Sequence, residues 1–122
     1  MKDIEDIDDI QRLVDTFYQR VQQDEMLAET FDAVDWPTHL PRMVNFWATV
    51  IFHQPRYKGN PLSTHMHLSQ QKTITPEHFS HWVILFQRTV DDLFSGQRAI
   101  SAKQSAAKME RGLTHNLFER VH

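Results

Sequence analysis

The stretch that decides how this chain is read is Tyr57–Leu68, YKGNPLSTHMHL. Two histidines, His65 and His67, follow a Gly-Asn-Pro turn. Asn60 is a natural helix cap and Pro61 suits a first helical position, so a short helix is expected from Pro61 to about Leu68. Residues two apart on a helix differ by roughly 200° in direction. His65 therefore shares the apolar side with Leu62 and Met66, and His67 takes the wetter side. An inward histidine is either a core residue bonded to a backbone carbonyl or a ligand, and this stretch leaves the two level.

The rest of the chain sets the frame. Its 122 residues suit one domain, spanning 1–122. With 40% hydrophobic and 24% charged residues it has an ordinary globular balance, enough for one real core. The net charge of -3 is spread along the chain, which argues against nucleic acid or an anionic membrane as partner. There is no cysteine, so disulfides and Cys-ligated metals are excluded. MKDIEDIDDI is acidic and lacks the apolar core of a signal peptide. No apolar run reaches membrane length. The expectation is a soluble, cytoplasmic protein. Only 3 glycines occur, and there is no GxGxxG, P-loop or nucleophile elbow. No catalytic residue is assigned.

Apolar spacing predicts helix almost throughout and no confident strand, hence an all-α fold. Ile7, Ile10, Val14, Phe17 and Val21 predict a first helix over about Ile4–Gln23. A break at Asp24 and a short helical piece around Leu27–Phe31 follow. VDWPTHLP opens the next helix, with Asp35 as cap and Pro37 and Pro41 in the tolerant first turn. Leu40, Met43, Val44, Trp47, Val50 and Ile51 give it a wide apolar stripe. HQPRYKGNP is a loop. Thr75 and Pro76 start a long helix carrying Phe79, Trp82, Val83, Phe86, Val90, Leu93 and Phe94, and Gly96 is expected to end it. The last helix, about Arg98–Arg120, carries Ala102, Ala106, Met109, Leu113 and Leu117.

Several polar groups fall on inward faces. His39 shares a face with Met43, Phe46 and Val50. Tyr18 lies between Val14 and Val21, and its hydroxyl needs a partner if buried. Trp82 sits mid-stripe, and its indole nitrogen can only donate. Singly, each aromatic reads as core. Together, two inward histidines and two aromatic donors in an apolar interior make a poor zinc site, because no inward carboxylate completes the ligand set. They suit a large, flat, apolar cofactor with one axial nitrogen ligand, which is haem.

At these residues the chain resembles the group III truncated haemoglobins. The resemblance rests on FYQRV, WPTHLPRMVNFW, YKGNPLSTHMHL and HFSHWVILFQRTVDDLF, in that order and at similar spacing. The Gly-Gly pairs usual in groups I and II are absent. The resemblance implies a two-over-two helical sandwich around haem b. It makes His65 the proximal ligand, with Nδ1–H donating to a carbonyl near Pro61 or Leu62. It makes Tyr18, His39 and Trp82 the distal groups facing the diatomic ligand, with His39 as donor, gate or direct iron ligand. Phe31 would wedge against the haem, and Phe46, Trp47, Val50, Leu62 and Phe86 would pack on it. Arg42, Arg56, Tyr57 and Lys58 lie near the expected propionate edge. His53, His78, His81 and His115 are assigned to surface or general packing.

The implied function is binding of O2, NO or CO. Three distal donors suit tight retention, or nitric-oxide dioxygenation or peroxide chemistry driven by an external reductase, better than simple oxygen transport. A monomer or weak homodimer is expected. Two other classes stay open: a helical non-haem metal enzyme ligated by His39, His65, His78 and His81, and a cofactor-free helical interaction module.

Overall fold

A computed structural model describes residues 1–29, 36–53 and 76–114. The expected proximal helix with Leu62, His65 and His67, the wedge residue Phe31, and Arg56, Tyr57 and Lys58 lie outside these residues. So do His115 and Leu117.

Four helices and no strand are found among the described residues: α1 (Ile7–Gln23), α2 (Trp36–Phe52), α3 (Pro76–Leu93) and α4 (Gln97–Thr114). None of them is long and apolar enough to cross a membrane. Helix α1 packs on α2 and α3, and α4 packs on α3 and α2. Between them lies a core built from the predicted stripes. Ile10, Leu13, Val14, Phe17 and Val21 come from α1, Val44, Trp47, Ala48 and Ile51 from α2, Val83, Phe86 and Val90 from α3, and Ala99, Ala102 and Ala106 from α4. The alanines of α4 let that helix approach closely, because a methyl side chain keeps the backbone near its neighbours.

Several positions differ from the sequence expectation. Helix α1 begins at Ile7, not Ile4. Asp6 is its cap, extended at φ -150°, and its carboxylate accepts from Asp9 N at 3.0 Å. Ile4 is nonetheless fully buried, because residues 1–5 form an arm against the start of α4. Lys2 O accepts from Ser95 N at 3.0 Å. The Asp3 carboxylate accepts from Arg98 N and Ala99 N, both at 2.9 Å.

Those bonds explain the second difference. Gly96 does not act as the C-terminal stop of α3, which ends at Leu93; it precedes α4. A glycine there has no side chain to cap the free amides of the first turn. Asp3 supplies the missing carboxylate from the other end of the chain. Gly96 adopts φ +141°, and a Cβ placed on it would lie 2.6 Å from Asp3 Cγ. The glycine is required both by its backbone conformation and by the cap that crosses it.

The third difference is Pro41, which lies inside α2 rather than in its first turn. It cannot donate to the carbonyl of Pro37. Both prolines are exposed, so water can serve that oxygen. At the far end, α2 stops at Phe52 and His53 takes a left-handed conformation, φ 57°. Beyond α1, residues 25–29 make turns rather than regular helix, with Ala28 N donating to Asp24 O at 2.8 Å.

Candidate functional site

Helix α1 brings Phe17 and Tyr18 into the interior side by side. Tyr18 is buried, and its ring meets three others: Phe17 at 4.9 Å, Trp36 at 4.9 Å and His39 at 5.3 Å between centroids. The His39 ring stands edge-on to Tyr18 at 89°. Trp36 and His39, three residues apart on α2, also touch each other at 5.6 Å. Residues at that spacing share a helix face. A half-buried imidazole and a buried phenol are thus held together where α1 crosses the start of α2.

Phe17 joins this group to α3. Its ring meets Trp82 edge-on at 5.3 Å and Phe86 at 5.1 Å. Trp82 is buried, with its indole nitrogen sealed from solvent. Trp82 and Phe86 lie nearly parallel, and Phe86 stacks on Trp47 at 4.5 Å and 14°. Phe46 follows at 5.1 Å from Trp47. The result is a continuous run of rings from α2 through α1 to α3 and back to α2. Edge-to-face and offset contacts of this kind are the favoured aromatic geometries.

Of the sequence-predicted site residues, Tyr18, His39 and Trp82 are therefore gathered at one end of the aromatic run, with Phe17 as bridge. Trp47 and Phe86 are fully buried and stack on each other. Phe46 and Val50 are half-buried on the same side of α2 as His39, and Arg42 is exposed. Phe31, Tyr57, Leu62 and His65 lie outside the described residues. Trp36 stands outside the sequence expectation, and its spacing of three from His39 is the one signal of it in the chain.

Two polar links bind α1 to α3 beside this cluster. The Arg20 guanidinium donates to Asp92 Oδ2 at 2.8 Å and Thr89 Oγ1 at 3.2 Å. His81 Nε2 lies 2.7 Å from Asp24 Oδ2, while Asp24 Oδ1 accepts from Met26 N at 2.9 Å and Leu27 N at 3.0 Å. Burial works against ionisation of Asp24. Its bond to His81 and the two amides outweigh that and hold the carboxyl below the usual range. His81, read from sequence as surface or general packing, is thus a specific partner of the α1 terminus. Among the described residues, no three His, Cys, Asp or Glu side chains converge; His65, one of the four candidate metal ligands, lies outside them.

The donor set fits haem and its ligand. A buried phenol, a buried indole and a half-buried imidazole lie along one run of rings, and α2 carries Phe46 and Val50, half-buried on the His39 side. Such residues would suit a flat apolar ring with hydrogen-bond donors on one side of it.

Comparison with known proteins agrees. A sequence model described as bacterial-like globin matches residues 4–119. A curated group 3 truncated haemoglobin from Campylobacter jejuni is 27% identical over 92 residues, covering 70% of each chain. The crystal structure of a group III truncated haemoglobin from Campylobacter jejuni superimposes with a TM-score of 0.85 at 24% identity, covering 98% of both chains. That likeness shows the truncated-globin fold.

Proposed function

This chain belongs to the bacterial-like globin family, with relatives among the group III truncated haemoglobins, and we propose that it holds haem b on His65 and takes O2, NO or CO on the opposite side. Haem-based ligand binding comes with the family; the assignment of residues is our reading. Haem supplies the iron that takes the ligand, and the protein supplies orientation and electrostatics. His65 Nε2 would hold the iron, and its Nδ1–H would be fixed by a carbonyl near Pro61 or Leu62. Phe31, Phe46, Trp47, Val50, Leu62 and Phe86 would form the apolar seat. Arg42 and Tyr57, with Arg56 and Lys58, would meet the propionates.

The observation that carries this reading is the convergence of Tyr18 and His39 in ring contact, with Trp82 one ring away across Phe17. A diatomic ligand that gathers negative charge on oxygen is stabilised by O–H and N–H donors, and in a dry pocket such a charge-assisted bond contributes about 1.5–3 kcal/mol. Several donors slow ligand release and polarise an O–O bond. Nitric-oxide dioxygenation or peroxide reduction, fed by a separate reductase, is the activity this polarity suits best. We place the protein in the cytoplasm as a monomer or weak homodimer. Stopped-flow measurement of O2 dissociation from wild type and Tyr18→Phe tests the distal assignment. Faster release in the variant supports it; equal rates from Tyr18→Phe, Trp82→Phe and His39→Leu would overturn it.

A further inference from the structure

We infer that Asp24 and His81 form a positioning clamp that fixes Trp82 for hydrogen bonding in the distal pocket. The inference rests on the reading of Trp82 as a distal donor.

The geometry is specific. Asp24 ends α1, the helix that carries Phe17 and Tyr18. Its carboxylate is divided between two tasks. Oδ1 takes the amides of Met26 and Leu27 and so fixes the turn beyond α1. Oδ2 takes His81 across the interface at 2.7 Å. Leu27, held by that turn, is fully buried. His81 stands immediately before Trp82, within the first two turns of α3.

The edge-on contact with Phe17 and the parallel contact with Phe86 seat the Trp82 ring, and the clamp fixes the backbone beside it. A charged or neutral imidazole N–H donating to a carboxylate sets the distance between the end of α1 and the first turns of α3. That distance also sets where Trp82, the next residue, stands relative to Tyr18 on α1. Arg20 with Asp92 and Thr89 secures the same helix pair further along α3. That second link leaves the His81 end to be controlled separately. Against the effect of burial, the three donors around Asp24 also hold its carboxyl below the usual range.

The test uses the carbonmonoxy holoprotein, which is diamagnetic. His81→Ala removes the cross-link and leaves the Asp24 turn bonds in place, whereas His81→Gln keeps a donor. His81→Ala is expected to move the Trp82 indole ¹H–¹⁵N signal, shift the iron–CO stretching frequency and raise the O2 dissociation rate several-fold. His81→Gln is expected to restore all three towards wild type. Lys103→Ala, which breaks the exposed bond to Asp91 between α3 and α4, controls for general loosening and should change none of them. Unchanged signals in His81→Ala, or the same shifts in Lys103→Ala, would overturn the clamp. Trp82→Phe separates the two claims. If it alters the stretching frequency while His81→Ala does not, the clamp fails and the distal reading stands. If Trp82→Phe is also silent, the distal role of Trp82 fails and takes the clamp with it.

Discussion

Gly96 shows how much a single residue decides here. Its positive φ and the Asp3 carboxylate pressed against its Cα leave no room for a side chain. Gly96→Ala should destabilise the fold by about 1–3 kcal/mol, as expected for an L-residue in a rare conformation, plus the cost of displacing Asp3. Asp3→Ala should cost about 0.5–2 kcal/mol, the usual range for a lost helix cap. Because the two residues act on the same turn, the double variant should lose less than the sum of the singles in urea denaturation. An additive double variant would show that the cap is not shared. Neither effect is legible from the sequence. The bond between Asp3 and Ala99 spans 96 residues, and nothing local marks Gly96 as a start rather than a stop. Tyr18, by contrast, could be placed from its own helix, because its neighbours at Val14 and Val21 define the inward face.

At the scale of helices, the apolar stripes were legible because each is written within one element at the 3.6-residue period. The links between elements were not. His81 and Asp24 are 57 residues apart and both are ordinary surface residue types. The N-terminal arm likewise reads as more helix in the sequence, since Ile4 fits the stripe that Ile7 begins.

That arm carries an acid-sensitive latch. The Asp9 carboxylate is held below the usual range first by its bond to the Lys2 ammonium, at 2.8 Å, and then by the amides of Glu5 and Asp6. Burial opposes ionisation of Asp3, but three backbone amides and the Arg98 guanidinium outweigh it. A lowered folded pKa means that the unfolded chain takes up protons first as pH falls. The stabilisation is therefore complete above the unfolded carboxylate range, near pH 4–5, and is lost as pH drops through the lower folded values. Thermal melts between about pH 5 and pH 2.5 should show Asp3→Asn and Asp9→Asn losing less stability on acidification than wild type. Parallel curves would show that neither carboxylate contributes to acid unfolding.

For the whole molecule, the run of rings from Trp36 through Tyr18, Phe17, Trp82 and Phe86 to Trp47 makes core and site one structure. Phe17 touches two of the three proposed distal donors, Tyr18 and Trp82, while being wholly buried. Phe17→Ala should therefore cost about 3–5 kcal/mol, the range for a deleted core phenylalanine, and also disturb ligand kinetics. Phe17→Leu should recover most of the stability and less of the kinetics. If both properties recovered together, the bridge would be packing alone.

The proposed function stands on a haem iron held by His65 with an open site facing Tyr18, His39 and Trp82. The absorption spectrum of the purified protein, ferric, dithionite-reduced and reduced under carbon monoxide, tests it most directly when wild type and His65→Ala are compared. Wild type is expected to show an intense Soret band that moves on adding carbon monoxide, and His65→Ala to lose the normal histidine-ligated spectrum. A wild-type protein that stays colourless after haem is added, or a variant whose spectra match wild type, would contradict it.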